Sequence, residues 1–265
     1  MGERVVEWYP TQLVRRTRQE NAVGFALIVL NQPIDEHLGV VKTLWGNASI
    51  RVAADGGANI LYEAAGQKED DSLDNLQVII GDLDSLNPTT REYYKSKGTT
   101  IIHEPDQDSN DFGKAISYVR AVHPGINIVA VGGLGGRVDQ GLSQLHHLYL
   151  FQKGDDYKEG RIFLFSGESL TFLLKRGVEH RIRVKDEGEK EKVFGKHVGI
   201  LPLGGRCKIT TEGLEWDVED WETEFGGMVS TSNHLLEETE VVKVWAEGGD
   251  VLFTVALRKW EGVQF

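Results

Sequence analysis

Ile128-Val129-Ala130-Val131 runs without a polar residue into Gly132-Gly133-Leu134-Gly135-Gly136-Arg137-Val138-Asp139-Gln140. Side chains alternate direction along a strand, so four apolar residues in a row predict a strand buried on both faces. The glycines allow a tight turn, and a helical pattern follows Asp139. Strand, glycine turn and helix in this order form the repeating unit of an α/β sheet. The same reading extends outward. Phe25–Leu30, Ile50–Ala54, Val78–Ile80, Thr100–Ile102 and Ile162–Phe165 are short apolar runs, most of them continuous. Between them, Asn87-Pro88 opens a helix that Gly98 ends, with a capping residue, a proline at the first position and a glycine past the last. A further helix starts near Ser109, with Ser109 or Asp108 as its natural N-cap.

The last third of the chain reads differently. His180–Val184, Cys207–Thr211 and Val241–Trp245 alternate or nearly so, as half-buried antiparallel strands do. Gly248-Gly249 between Val241–Trp245 and Val251–Leu257 suggests a hairpin-like return. No long helical pattern appears after about Leu150. The expected fold class is α/β: an open, mostly parallel sheet domain over 21–168, followed by an antiparallel β-sandwich domain over 169–265. Residues 1–20 read as an extension outside the core. The charge-dense run 185–192 reads as a solvated loop.

Composition sets the outer limits. With 265 residues, 40% of them hydrophobic, the chain can build a large core. A formal net charge of −12 argues against general binding to nucleic acid or to an anionic membrane, since either needs a basic face. Small anionic substrates stay possible if a metal reverses the local sign. The one cysteine, Cys207, rules out an internal disulfide, fits a reducing compartment and reads as a strand residue. No apolar stretch approaches the ~20 residues of a membrane helix, and the first ten residues lack a signal-peptide core. Gly2 is followed by Val6 where a myristoylation signal has Ser or Thr. A cytoplasmic protein is expected.

Ligands of open α/β sheets bind beyond the carboxyl ends of the strands. Asp55-Gly56-Gly57-Ala58-Asn59 follows the run at Ile50, and Gly81-Asp82-Leu83-Asp84-Ser85 follows the run at Val78. Asp106-Gln107-Asp108-Ser109-Asn110-Asp111 follows the run at Thr100 after a short gap, and the glycine-rich segment follows the run at Ile128. Asp82 and Asp84 alone could merely cap turns, although on a straight strand both would face one side. Four acidic or glycine-rich strand ends together point to a metal, because converging carboxylates repel and protonate without a cation. Mg²⁺ prefers oxygen ligands, usually one or two carboxylates plus substrate phosphates. Gly133, Gly135 and Gly136 lie directly before a helix, where backbone N–H groups can bind phosphate, and Arg137 in that segment favours a phosphate or adenine site over a flexible turn. The segment is neither a Walker loop nor a full Gly-x-Gly-x-x-Gly, since Val138 stands at the third glycine.

Taken in order, these segments resemble the thiamine pyrophosphokinase family. The resemblance rests on Ala54–Asn59, Gly81–Ser85, Pro105-Asp-Gln-Asp-Ser-Asn-Asp-Phe112, Gly132–Gln140 and Val229-Ser-Thr-Ser-Asn233, with Leu30-Asn-Gln-Pro33 and Gly213-Leu-Glu-Trp216 beside them. It covers the chain from about Phe25 to the end. Asn110 stands where Thr is common and Leu83 where Phe is common. The resemblance implies a homodimer with active sites between subunits, and Mg²⁺-dependent attack of the thiamine hydroxyl on the β-phosphorus of ATP. It assigns metal binding to Asp82, Asp84 and Asp111. Asp55, Gly56, Gly57 and Asn59, with Gly133, Gly135, Gly136, Arg137 and Asp139, fall to the nucleotide. Gln107 and Asp111 fall to thiamine or the transferring group. Trp216, Ser230, Thr231, Ser232 and Asn233 fall to thiamine contacts from the partner subunit.

The residues themselves leave some points open. Asp111 is a candidate general base, although a tight metal ligand does not easily serve as a free base. Without the resemblance, Trp216 reads as strand core, and His146-His147 as packing or surface residues of a helix. A metal-dependent hydrolase with paired carboxylates and a non-catalytic nucleotide or thiamine diphosphate sensor are the competing functions.

Overall fold

The computed structural model describes residues 4–15, 24–66, 71–186 and 192–258. The first strand, β1, is Val5–Trp8. The apolar runs of the first two-thirds become β2 (Phe25–Val29), β3 (Ile50–Ala54), β4 (Val78–Gly81), β5 (Thr100–His103), β6 (Asn127–Val131) and β7 (Ile162–Phe165). They lie in the order β7-β6-β2-β3-β4-β5, and every pairing is parallel. β2 and β4 are buried at every residue, which is why their sequences do not alternate. The edge strand β5 is only partly covered. The crossovers are α1 (Leu38–Asn47), α2 (Gly57–Gly66), α3 (Pro88–Ser96), α4 (Asp111–Val122) and α5 (Val138–Phe151). α3 has Asn87 at its N-cap and Pro88 in its first turn, and Gly98 follows its end at φ +86°. Among the described residues no helix is long and apolar enough to cross a membrane.

The chain walks outward from β2 through β3, β4 and β5, then returns to β6 on the other side of β2. That reversal is a topological switch point, where diverging loops leave a crevice at the carboxyl ends of the strands. The acidic and glycine-rich segments all leave from that end.

The remaining strands are β8 (Ser169–Leu174), β9 (Glu179–Arg183), β10 (Phe194–Leu201), β11 (Cys207–Glu212), β12 (Trp221–Thr223), β13 (Ser230–His234), β14 (Val241–Glu247) and β15 (Val251–Leu257). They form a second compact unit together with 4–15 and 152–157, while 24–151 and 158–167 form the first. In the second unit one layer runs β1-β9-β14-β11-β12 and the other runs β13-β10-β15-β8 in antiparallel pairings. β9 and β14 bury alternate residues, as strands with one face on a core do.

Three local expectations are revised. Residues 1–20 were set apart as an extension, yet Val5–Trp8 pairs in parallel with Glu179–Ile182. Trp8 is fully buried. Its ring stacks on Phe172 of the opposite layer at 4.6 Å and meets Tyr157 edge-on at 5.0 Å. Its indole N–H donates to His180 Nδ1 at 3.0 Å. The segment is too short for its pattern to register, and its burial comes from partners 149 to 172 residues away. Residues 1–3 and 16–20 lie outside the described residues, as do 187–191 of the charged run. Second, Gly248-Gly249 does not close a hairpin. β14 pairs with β9 and β11, whereas β15 pairs with β8 and β10, so the turn carries the chain from one layer to the other. Asp250 secures the crossing by accepting from the Arg176 N–H at 3.0 Å and from Lys175 Nζ at 2.5 Å. Third, the N-cap of α4 is Asn110, whose Oδ1 accepts from the Gly113 N–H at 2.9 Å.

Trp8→Ala should lower the unfolding free energy by about 3–5 kcal/mol, because it empties a large buried site and strands the His180 nitrogen. Urea unfolding followed by circular dichroism measures this. A loss below about 1 kcal/mol would mean that the N-terminal strand is dispensable to the sandwich.

Candidate active site

The parallel register sets the strand ends side by side. Ala54 pairs with Ile80 and Gly81 with His103, so Asp55 and Asp82 leave adjacent strands at nearly one level. The Asp55 N–H donates to Ile80 O at 2.9 Å. Asp55 itself sits at φ +40°, a turn conformation that Asp tolerates better than most residues. Asp111 reaches the same point from the first turn of α4, which packs on β3 and β4. Oxygens of Asp55, Asp82 and Asp111 lie within 4.8 Å of one another. Gly81 allows this approach: a Cβ there would lie 2.7 Å from Asp55 Cβ and 2.8 Å from Asp111 Oδ1.

Asp84 is held differently. β4 ends at Gly81, and Leu83 turns the backbone at φ +64°. Asp82 and Asp84 therefore do not share a strand face. Asp82 Oδ1 accepts from the Asp84 N–H at 3.3 Å, while Asp84 Oδ1 accepts from the Ser85 hydroxyl at 2.9 Å. The triplet that converges contains Asp55, which the sequence reading gave to the nucleotide, and not Asp84. Asn59 spends its amide on the same loop, donating to Ser85 O at 2.7 Å and accepting from the Asn87 N–H at 3.0 Å. Gln107 extends towards the rim, its Nε2 lying 3.5 Å from Asp82 Oδ2 and 3.3 Å from Pro105 O.

Lys114 is paired with two of the three acids. Lys114 Nζ lies 3.4 Å from Asp111 Oδ1 and 3.7 Å from Asp82 Oδ2, and the lysine side chain is 2% exposed. The sequence reading passed over it. Its signal was a lone lysine three residues after Asp111 inside Phe112-Gly-Lys-Ala-Ile116, a run otherwise fit for a buried helix face.

The electrostatics follow from crowding. Burial pushes the Asp55 carboxyl up to about 6, with the Ser85 N–H opposing and the charges of Asp111, Asp84 and Asp82 adding to the rise. Burial also raises Asp111, against the pull of Lys114. Asp82 is lowered, chiefly by the Asp84 N–H. Asp55 Oδ2 accepts from the Ser85 N–H at 3.0 Å, while its buried Oδ1 has no hydrogen-bond partner. Three hard oxygen donors around a partnerless buried carboxylate oxygen fit a small divalent cation such as Mg²⁺.

The glycine-rich turn lies at the switch point. It borders a cleft of about 480 Å³ with Gln32–His37 from the end of β2 and Phe165–Gly167 from the end of β7. Ile34, Leu134 and Phe165 give apolar walls, and Gln32, Glu36 and His37 give polar ones. Gly136, at φ +62°, would bring a Cβ to 2.5 Å from Gln32 Oε1. Gly132 and Gly135 line the cleft with it. Arg137 is exposed and bound by Asp139 through two contacts, 3.1 and 2.6 Å. Sequence reading found the glycines but missed the 34–37 and 165–167 walls, which carry no motif. His147 is buried against Phe112, its Nδ1 2.6 Å from Ser143 O, and its ring is structural packing.

In the second unit, Trp216 is 54% exposed, so it is not strand core. Asn233 is buried and holds the Trp216 backbone, accepting from its N–H at 3.2 Å and donating to its O at 2.9 Å. The indole lies 4.8 Å from the His234 ring. Ser230, Thr231 and Ser232 lie on β13, Thr231 and Ser232 exposed, with Ser232 at φ +58°.

Residues 41–158 match the family described as thiamin pyrophosphokinase, catalytic domain, and residues 179–249 match its vitamin B1 binding domain. The chain belongs to the thiamin pyrophosphokinase family. A family member from Oryza sativa subsp. japonica, thiamine pyrophosphokinase 3, is 36% identical over 249 residues, covering 89% of this chain and 88% of that one. Thiamine pyrophosphokinase 1 of Arabidopsis thaliana is 35% identical over 249 residues, covering 89% and 87%. The solved thiamin pyrophosphokinase from Candida albicans superposes with a TM-score of 0.78 at 25% identity, over 97% of this chain and 93% of that one. The yeast structure gives a TM-score of 0.81 at 24% identity, over 96% and 91%. The α/β fold with a sandwich-type second unit is therefore the family's fold.

The raised Asp55 carboxyl makes a pH-dependent prediction for metal-free protein. Its proton binds more tightly in the folded state, so its contribution to stability is present below about pH 4 and lost as pH rises through about 6. Asp55→Asn should accordingly stabilise the metal-free protein by roughly 1–3 kcal/mol at pH 8 and change little at pH 4. Urea unfolding in EDTA at both pH values checks it, and an equal effect at both would remove the charge explanation.

Proposed function

We propose that this enzyme transfers the pyrophosphoryl group of ATP to the hydroxyl of thiamine, giving thiamine diphosphate and AMP, and requires Mg²⁺. The observation that carries the reading is the convergence of Asp55, Asp82 and Asp111 on one strand-end rim, in a chain whose relatives are named thiamine pyrophosphokinases. In the reaction the thiamine oxygen bonds to the β-phosphorus and loses its hydroxyl proton to water, while the bond from that phosphorus to the oxygen of the α-phosphate breaks and AMP leaves with its electron pair. Such transfers need alignment of three reacting atoms and compensation of phosphate charge.

Asp55, Asp82 and Asp111 are the residues that would hold Mg²⁺, with Asp84 adding negative charge beside them. Bound there, Mg²⁺ supplies the positive charge that an acidic rim otherwise lacks for a polyphosphate. The cleft at the switch point suits the nucleoside, and the glycine-rich turn offers N–H groups of the α5 N-terminus to the phosphates. Arg137 is close by in sequence, and release from Asp139 would free it for the same anion. Gln107 can orient the thiamine hydroxyl at the rim. Thiamine carries a cationic thiazolium, and the exposed Trp216 offers it an aromatic face worth roughly 0.5–2 kcal/mol. Asn233 positions that indole through the backbone, with Ser230 and Ser232 as neighbouring polar contacts. We infer a homodimer in which this segment serves the other subunit's acidic rim, as the family resemblance implies. A cytoplasmic setting suits the single buried Cys207.

Purified protein given ATP, Mg²⁺ and thiamine should produce AMP and thiamine diphosphate in equal amounts; ADP as the product would overturn the pyrophosphoryl assignment. Asp82→Asn should lower kcat at least ~100-fold with the fold retained by circular dichroism. Trp216→Ala should raise the thiamine KM about 2- to 30-fold while leaving the ATP KM unchanged; an unchanged thiamine KM would remove the stacking role.

A further inference from the structure

The lysine behind the acids supports a step beyond that reading. Lys114 projects from the face of α4 that packs on β3 and β4, and its sequence neighbours Phe112, Ala115 and Ile116 are buried with it. A buried ammonium is costly unless paired and hydrogen-bonded. Both of its ion-pair partners are rim acids, Asp111 at 3.4 Å and Asp82 at 3.7 Å. Those side chains are 34% and 23% exposed against 2% for the lysine, so they stand between the ammonium and solvent. A substrate entering from solvent meets the carboxylates first. Lys114 therefore acts through the acids.

We propose that Lys114 is a positioning residue for this reaction, an internal counter-charge that keeps Asp82 and Asp111 together and limits how tightly the divalent cation is held. The inference rests on the metal reading above. The physics has two parts of opposite sign. Without a nearby cation, Asp55, Asp82 and Asp111 repel and would separate or protonate; Lys114 offsets part of that repulsion from the protein side. A divalent ion held by the same carboxylates would be repelled by the ammonium, which lies 3.4 Å and 3.7 Å from oxygens of Asp111 and Asp82. A single buried lysine thus preorganises the site while weakening its hold on the metal. Where the metal leaves with the polyphosphate product, an over-tight site would slow that release.

The test is titration of Mg²⁺ alone into wild-type and Lys114→Met protein by calorimetry at pH 8.5, where the acids are ionised. It is paired with unfolding midpoints with and without Mg²⁺, and with steady-state kinetics. The expected result for Lys114→Met is a Mg²⁺ Kd tightened about 5- to 50-fold. The metal-free protein is less stable, Mg²⁺ raises its midpoint more than that of wild type, and kcat falls at least about tenfold. Lys114→Arg, which keeps the charge, should hold the Mg²⁺ Kd within about threefold of wild type and recover part of kcat. It also serves if the Met variant does not fold: an Arg variant with Kd displaced tenfold or more overturns the proposal. A purely structural lysine predicts lost stability with unchanged metal affinity, and a lysine that touches phosphate predicts a raised ATP KM with unchanged metal affinity. Either outcome overturns the proposal while the metal reading stands. If wild-type protein shows no Mg²⁺ binding by either measurement, both fall.

Discussion

Like charges brought together at the ends of parallel strands are the constraint on which this molecule turns. A parallel sheet places the carboxyl ends of successive strands along one edge, and here those ends carry Asp55 and Asp82, with Asp111 arriving from α4. Water would separate such groups. The backbone instead holds them, through the β3–β4 ladder, the turn at Leu83 and the Asn110 cap. The result is a carboxyl pushed up to about 6 and a buried oxygen without a partner. This unfavourable arrangement is the basis of the proposed divalent-cation site. Lys114 pairs with two of the three acids, Asp82 and Asp111. Functional sites commonly carry such local cost, which the rest of the fold absorbs.

The rest of the fold is equipped to absorb it. β2 and β4 are buried at every position, and α4 packs a near-continuous apolar face against the strands that bear the acids. The second unit carries no comparable cluster among its described residues. It carries an exposed aromatic, Trp216, on a hydrogen-bonded backbone. Trp216 sits out in solvent because Asn233, itself buried, satisfies the backbone on both sides of it. The N-terminal strand adds Trp8 to that unit, stacked between layers and hydrogen-bonded to a buried histidine.

Much of this was legible before any coordinates. Continuous apolar runs read as two-face-buried strands, Asn87-Pro88 and Gly98 marked both ends of a helix, and the acids and glycines fell at strand ends. These signals are local: each depends on residues within one turn or one strand. The misreadings have a common cause. Trp8 was set aside because its partners are Phe172, Tyr157 and His180, far along the chain. Gly248-Gly249 looked like a hairpin because two strands flank it, and which strands they pair with is decided elsewhere. Lys114 was passed over because a lysine in a helix is ordinarily solvated, and only packing on β3 and β4 turns it inward.

The sequence by itself determined the strand-helix alternation and α/β class of the first part, the antiparallel β character of the second and the placing of acids and glycines at strand ends. Spacing and residue type suffice for these, since periodicity and turn chemistry act over a few residues. Which acids meet was decided by tertiary structure alone. Asp82 and Asp84 are two apart in sequence, yet a left-handed Leu83 turns them away from a common face. Asp55 and Asp111 are 56 positions apart, yet strand register and the start of α4 bring them to the same point as Asp82. The identity of a charge cluster depends on distances in space, and those follow only from how the sheet and its helices pack.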